Sequence, residues 1–438
     1  MSERRRVSAN ILWLLGERML RLGVSFGIIG LLARHLGPEG FGTLNYAIGL
    51  AVLFTALATL GLDTVVVREL VRSPAQTDAI LGTAFVLRLV GAIVAIIALG
   101  LCAPWLVAGT HALLPLVAIT SLALVWQAFE VIDLWFQKHL QSRHTVVAKL
   151  AALIISSAVK LVLIARAAPL AWFCWAFVLD GLLYAAALVL VYRQQGGRLG
   201  SWNFSRPLAR TLLHTAWPLI TAGLLISFYL RLDQILVLRL LGARELGFYT
   251  AASKVAEIWI AVSAFVLTSV FPLLAARHVL GTERFLRDLQ FAFDVMTGLG
   301  YIIAVSVTLA APTLIPLVFG ENYRPAGRVL AVLAWSAPFI FSGGIRAHYF
   351  MLEGTTIYHN WSALLGIAAN AALAYWLLPW LGAPGAAAAV VVSSALSAWV
   401  SSYIFPRLRD CGRLQTIALL LPVRPRTWPD LFRRLTRP

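Results

Sequence analysis

The chain has 438 residues, 60% of them hydrophobic and 13% charged, with a formal net charge of +17. Soluble domains carry about 45–50% apolar and about 25% charged residues, so this composition excludes a soluble globular protein and describes a polytopic membrane protein. The positive charge belongs to topology: arginine gathers in cytoplasmic loops, and no soluble domain is left to bind a nucleic acid.

The N-terminal "MSERRR" and the apolar stretch after it do not form a cleaved signal peptide. The stretch is too long, contains Glu17, Arg18 and Arg21, and lacks a small-x-small cleavage site. It reads as an uncleaved first span. A span needs about 20 mostly apolar residues. Twelve segments qualify in chain order: 9–33, 43–64, 80–106, 113–136, 147–165, 169–192, 214–240, 248–274, 290–312, 327–350, 359–380 and 384–405. Basic residues alternate across them. One side holds 23 of the 36 Lys and Arg, including Arg68, Arg72, Lys138, Arg143, Lys149, Arg193, Arg198, Arg206 and Arg210. The other side holds Arg34, Arg166, Arg239, Arg244, Arg324 and Arg328. Both termini are therefore expected in the cytoplasm, which agrees with an even number of spans.

The longest polar break, Tyr192–His214, falls after the sixth span. It divides the chain into an N-terminal lobe (1–192), a cytoplasmic linker (193–213), a C-terminal lobe (214–405) and a basic cytoplasmic tail (406–438). The stretch "LARHLGPEGFGTLNYA" matches "LRLLGARELGFYTAA" at an offset of 205, pairing Gly37 with Gly242, Gly42 with Gly247 and Arg34 with Arg239. Each follows the first span of its half, so the halves read as a parallel repeat. Gly23 and Gly27 form a G-x-x-x-G expected to allow close helix contact. Pro218 and Pro338 are expected to kink their spans. The run "GAPGAAAAVVVSSALSA" is expected to pack through small residues.

More than two residues inside the span ends fall seven cations (Arg18, Arg21, Arg88, Lys160, Arg231, Lys254, Arg346) and seven anions (Glu17, Glu130, Asp133, Asp180, Asp233, Glu257, Asp294). A charge at mid-bilayer costs roughly 2.5–3.5 kcal/mol on insertion scales, so such groups face a protein interior or a wet cavity. Arg88, Glu130, Asp133, Asp294 and Arg346 lie near cytoplasmic ends and can reach the interface, and Lys160 can do so on the other side. Glu17, Arg18, Arg21, Asp180, Arg231 and Asp233 lie deeper. Lys254 and Glu257 are three apart and can pair. Arg231 and Asp233 are two apart and cannot share a helix face. Arginine stays ionised and offers a fork matched to phosphate. Arg21 and Arg231 together would suit a phosphorylated ligand. The alternative is neutralisation within the protein, Arg21 by Glu17 and Arg231 by Asp180 or Glu257. Asp180 and Asp233 can also serve a proton or sodium ion.

No phosphate loop, H-E-x-x-H or G-x-S-x-G motif occurs, and no loop is long enough to hold an acceptor glycan, so an enzyme is not expected. Cys102, Cys174 and Cys411 show no metal-ligand spacing, and neither a metal nor a cofactor is expected.

Three stretches resemble one family. "LARHLGPEGFGTLNYAIGL" with "LGLDTVVVREL" resembles the first hairpin of polysaccharide-export flippases. "RLDQILVLRLLGARELGFYTAASKVAE" with "FPLLAAR" resembles their seventh and eighth spans. "PLVFGENYRPAGRVLAVLAW" resembles the loop into their tenth. These are the oligosaccharide-lipid flippases of the multidrug/oligosaccharidyl-lipid/polysaccharide exporter superfamily. The resemblance implies an all-α fold of about twelve transmembrane helices in two pseudo-symmetric six-helix bundles around a V-shaped cavity. It implies alternating access that moves an undecaprenyl-pyrophosphate-linked oligosaccharide (an O-antigen, capsule or exopolysaccharide repeat unit) to the outer leaflet of a bacterial inner membrane. It also implies a cationic lumen. Depth and charge nominate Arg21, Arg88, Arg231, Lys254 and Arg346 for it, with Glu17, Asp180, Asp233 and Glu257 for charge balance or ion coupling. The chain is shorter than the fourteen-span lipid II flippases, which demotes a peptidoglycan precursor as substrate. A monomer is expected, in contact with membrane lipid and with glycosyltransferases or a polymerase of the same pathway. The alternatives are a cation-coupled multidrug exporter of the same superfamily and, further off, a membrane glycosyltransferase or polymerase.

Overall fold

The computed structural model describes the backbone over residues 3–107, 111–139, 141–278 and 282–423, with side chains from Gly23 onward in the first helix. Every regular element among these residues is helical. Lipid offers no hydrogen-bond partner to the backbone, and helices satisfy their own. Ten segments among the described residues are long and apolar enough to span a membrane. Twelve were expected. The first, Gly23–Arg72, takes in two expected spans, and the helix containing 214–240 is not among the ten.

The chain forms two compact units, Met1–Ile235 and Leu236–Pro438. The first contains α1 (Glu3–Leu53), α2 (Thr55–Thr59), α3 (Asp63–Arg72), α4 (Thr77–Leu106), α5 (Leu114–Ser121), α6 (Ala123–Trp126), α7 (Val131–Lys138), α8 (Ser142–Ala165) and α9 (Leu170–Gln194). A 3₁₀ turn, Gln127–Glu130, joins α6 to α7. Helix α10 (Arg206–Leu241) carries the chain across the unit boundary, so only 195–205 of the expected 193–213 linker is free of α9 and α10.

Helix α1 breaks at Gly37, with φ 69° and ψ 174°. That φ suits glycine, and Pro38 favours the extended ψ before it. Gly242, its partner in the internal match, has φ 90° and separates α10 from α11. The two aligned segments thus turn on the same device. No atom lies within 4 Å of a Cβ built at Gly23 or Gly27, so the close contact expected of that G-x-x-x-G is not formed among the described residues. Elsewhere glycine does permit close approach: a Cβ at Gly82 would meet the Asn203 carbonyl oxygen at 2.5 Å. This draws 203–205 onto α4, where the Ser205 amide donates to Thr83 Oγ1 at 3.0 Å. The core of this unit includes Leu62, Val66, Leu81, Val131, Ile132 and Phe136, all 0–1% exposed.

The second unit contains α11 (Ala243–His278), α12 (Thr282–Phe319), α13 (Ala326–Leu333), α14 (Ala337–Leu352), α15 (Thr356–Leu381), α16 (Ala383–Ala395), α17 (Ser401–Ile404) and α18 (Arg409–Leu419). Pro338 lies in the first turn of α14, where its missing N–H is harmless, and so starts a helix instead of kinking one. Helix α16 packs on α15 through small residues as expected: a Cβ at Gly385 would lie 2.6 Å from the Leu377 carbonyl oxygen. Between α16 and α17 the chain makes a π turn, Leu396–Val400. The stretch set apart as a tail from 406 begins as part of this unit. Within α18, Cys411, Gln415 and Ala418 are buried, and Gln415 bonds Ser402, Ser342 and the Ala398 carbonyl.

Candidate functional site

Within the first unit, a cavity of about 450 Å³ lies among α1, the α7 region, α8 and α9. Its charged lining is Glu130, Asp133, Lys149, Lys160 and Asp180, joined by Ser25, Ser156 and Tyr184. Helical periodicity places them. Lys149, Ser156 and Lys160 recur at steps of seven and four, which keeps one face of α8 polar. Asp180 and Tyr184 are four apart on α9, and Glu130 and Asp133 three apart on the α7 side.

Lysine and carboxylate meet across helices. Lys160 Nζ lies 2.7 Å from Asp180 Oδ2, while Ser156 Oγ donates to the other oxygen of that carboxylate. Lys149 Nζ lies 3.3 Å from Asp133 Oδ2 and 5.5 Å from the centroid of the Tyr184 ring. Glu130 has no ion-pair partner within 4 Å among the described residues, although Arg88, Asp63, Asp133 and Lys149 are close enough to act on it electrostatically. Among the described residues, the cavity carries three acids (Glu130, Asp133, Asp180) against two bases (Lys149, Lys160). Arg88, fully buried, donates to Asp63 Oδ1 and to the Gln127 carbonyl at 3.5 Å, and its Nε finds no acceptor.

The structure distributes the residues singled out from the sequence. Glu17 and Arg21 lie outside the residues whose side chains are described. Asp180 lines the cavity, paired with Lys160. Arg231 donates from Nη1 to Gln234 Oε1 at 3.3 Å, and its Cδ lies 3.6 Å from where a Gly49 Cβ would stand. Asp233 sits two residues further along α10. In the second unit, Lys254 pairs with Glu257 at 2.8 Å, as the spacing suggested. Arg346 is 3% exposed. It donates to Ser401 Oγ at 2.6 Å, Ser402 Oγ at 3.1 Å and the Ser397 carbonyl at 2.6 Å, and stacks on Phe350. It thus holds the π turn, whose wider winding leaves carbonyls for a side chain to take.

Sequence reasoning placed Glu130, Asp133 and Lys160 at the interface and counted Lys149 among the cytoplasmic cations. The polar stripe along α8 was the available signal for gathering them. Among the described residues, no group of three His, Cys, Asp or Glu is placed to hold a metal ion.

Charged side chains paired inside a sheath of membrane-length helices define a polytopic membrane protein with a polar interior. A model of a polysaccharide biosynthesis protein family matches residues 31–328, and the chain belongs to that family. No curated protein matches the chain. Solved structures share its fold. A lipid II flippase, MurJ, in an inward closed conformation has a TM-score of 0.71 at 13% identity, over 94% of this chain and 92% of its own. An inward-facing multidrug resistance MATE-family transporter of the MOP superfamily has a TM-score of 0.69 at 15% identity, over 93% of this chain and 99% of its own. A MOP-superfamily transporter from Pyrococcus furiosus, described as having a binding pocket of reverse polarity, has a TM-score of 0.61 at 13% identity, over 92% and 95%. The fold is that of MOP-superfamily transporters.

Proposed function

We propose that the protein is a flippase that moves an undecaprenyl-pyrophosphate-linked oligosaccharide, the repeat unit of a surface polysaccharide, from the cytoplasmic to the outer leaflet. The observation that carries the reading is the charged cavity of the first unit, kept among membrane helices in a chain of a polysaccharide biosynthesis family. A pyrophosphate with its sugars cannot cross hydrocarbon unaided. Lys149 and Lys160 offer the cavity's cations, and each is held by a single carboxylate. A doubly charged phosphate can displace such a partner, because it attracts each lysine more strongly than a singly charged carboxylate does. Return of Asp133 and Asp180 to their lysines would then expel the ligand. Arg21 and Arg231 are proposed to add grip, with Asp233 setting their balance. Arg88, Lys254 and Arg346 remain in the cationic set as charges already held by protein acceptors. Glu17 and Glu257 serve charge balance. An inside-negative potential favours outward movement of the anion by about 2.3 kcal/mol per charge per 100 mV. The step breaks no covalent bond, so no enzyme chemistry is invoked. In this reading the protein works in the bacterial inner membrane with both termini cytoplasmic.

Depletion of the protein tests this. Finished lipid-linked oligosaccharide should accumulate on the cytoplasmic face while surface polysaccharide is lost. A normal leaflet distribution, in a strain with no second flippase, sinks the proposal. One observation favours a cation-coupled multidrug exporter instead: among the described lining residues, the carboxylates outnumber the cations by one, Glu130. That reading expects the depleted strain to gain drug sensitivity and everted vesicles to show cation-driven efflux.

A further inference from the structure

A second recess, of about 500 Å³, lies beside the charged cavity on the same two helices. Its lining is apolar: Val159 and Leu163 from α8, Leu179 and Leu182 from α9, and the indoles of Trp126, Trp172 and Trp175 among them. The two spaces adjoin residue by residue. Val159 precedes Lys160, and Leu179 precedes Asp180. Successive residues stand about 100° apart on a helix, so α8 and α9 each turn one face to the charged cavity and the next to the recess.

Three features set the recess apart from ordinary lipid-facing surface. Its volume falls within the roughly 300–1,000 Å³ of ligand sites. Trp172, Trp175 and Leu182 are 57%, 47% and 39% exposed, so it opens on the outer surface of the unit. Trp126 is seated on the α9 backbone: a Cβ at Gly181 would meet its side chain at 3.1–3.5 Å. The Trp126 indole N–H is buried and has no acceptor among the described residues. An interfacial aromatic belt explains Trp172 and Trp175 near the start of α9, since such rings keep one edge in water. It does not explain an indole held inward with its donor unused. A buried donor left unmade is costly, so the site calls for an acceptor beside the Trp126 indole.

We infer that this recess takes the phosphate-proximal part of a polyprenyl chain while the phosphate occupies the neighbouring charged cavity. The inference rests on the flippase reading. An amphiphile with an anionic head and a hydrocarbon chain is the one ligand that needs both spaces at once. Trp126, at the junction, is the donor for a phosphate oxygen. Lodging the chain here keeps it in hydrocarbon while its head crosses, and presents the head to Lys149 and Lys160.

The test is photocross-linking of the full chain in nanodiscs with a diazirine-bearing polyprenyl phosphate, mapped by mass spectrometry. A diazirine-bearing phosphatidylglycerol in parallel reports bulk lipid. The polyprenyl probe should label 159–182 about tenfold above the exposed face of α15, and unlabelled polyprenyl phosphate should compete it away. Val159→Phe and Leu182→Trp, which fill the recess from its rim, should each cut that labelling while the melting temperature holds. Labelling spread evenly over lipid-facing helices, or equal labelling by phosphatidylglycerol, overturns the inference. Binding is read here without translocation. Focused labelling together with a negative leaflet assay removes the flippase and keeps the chain site. Unfocused labelling together with a positive leaflet assay removes the chain site alone.

Discussion

Two buried groups in the second unit show how a single residue's surroundings set its chemistry. Cys411 on α18 is 1% exposed, and burial pushes its thiol up to about 12, partly opposed by the charge of Arg346. The thiolate is the reactive form, so at pH 8 Cys411 holds roughly a thousandth of the thiolate of an ordinary cysteine. It should resist maleimide in the folded protein and react once unfolded, as peptide mapping would show. The raised value also fixes a sign. Folding stability linked to this thiol is fully present below the unfolded value near 9 and declines as pH rises towards 12. Ready labelling of the native thiol would mean that α18 is not docked. Arg346 gives a second expectation. Arg346→Met abandons three acceptors around the π turn, and hydrogen bonds from charged donors are worth about 1.5–3 kcal/mol each before rehydration and repacking. A net loss of roughly 1–3 kcal/mol should appear as a lower melting temperature in detergent. Arg346→Lys should recover less than half, because an ammonium cannot reproduce the fork that reaches Ser397 and Ser401 together.

Between helices the informative object is the pair. Lys160 on α8 and Asp180 on α9 are 20 residues apart in sequence and meet at 2.7 Å. Removing one partner strands the other in a low-dielectric setting, which costs about 3–5 kcal/mol for a buried pair and less here, where each is partly exposed. Asp180→Leu should therefore destabilise the protein, and so should Lys160→Met. The double variant Lys160→Met with Asp180→Leu should recover most of the stability, since an apolar pair of similar volume suits the site. Thermal melting of the four proteins closes the cycle. If the double variant also transports normally, the pair serves packing and the proposed phosphate grip is wrong. Legibility in the sequence follows the same division. Lys254 with Glu257 was readable because helical spacing alone joins them. Lys160 with Asp180, Lys149 with Asp133, and Arg346 with Ser397 were not, because each pairing depends on which helix lies alongside. The all-helical membrane class was plain, since twenty apolar residues have few other uses. The turn at Gly37 and Gly242 was marked by the internal match. The count of spans is matched only in part among the described residues: Gly23–Arg72 forms one apolar stretch across the break at Gly37, and the charged α10 is not one of the ten.

For the whole molecule, the strongest regularity is the one-sided placement of cations. Arginines contacting the cytoplasm set orientation during insertion, and 23 of 36 basic residues fall on one side of the expected spans. Lys149, one of that set, lines the cavity of the first unit and pairs there with Asp133. Removing it leaves the bias intact. Orientation decides direction: a substrate assembled in the cytoplasm must load from the side of 195–205 for the proposed flippase to work. Arg198 and Arg324 lie on opposite sides in this scheme, and both are exposed. Each can be made the sole cysteine, as Arg198→Cys or Arg324→Cys, after Cys102, Cys174 and Cys411 are replaced by alanine. A membrane-impermeant maleimide should then label the Arg324→Cys protein in spheroplasts and the Arg198→Cys protein only in inverted vesicles. Arg324→Cys forfeits only its ion pair with Glu321, in which both side chains are 70% exposed, so the fold should be unaffected. The reverse pattern would put the basic loops outside. The membrane potential would still favour outward passage of the anion, but the side of 195–205 would no longer face the substrate, and the loading route proposed for the flippase would be wrong.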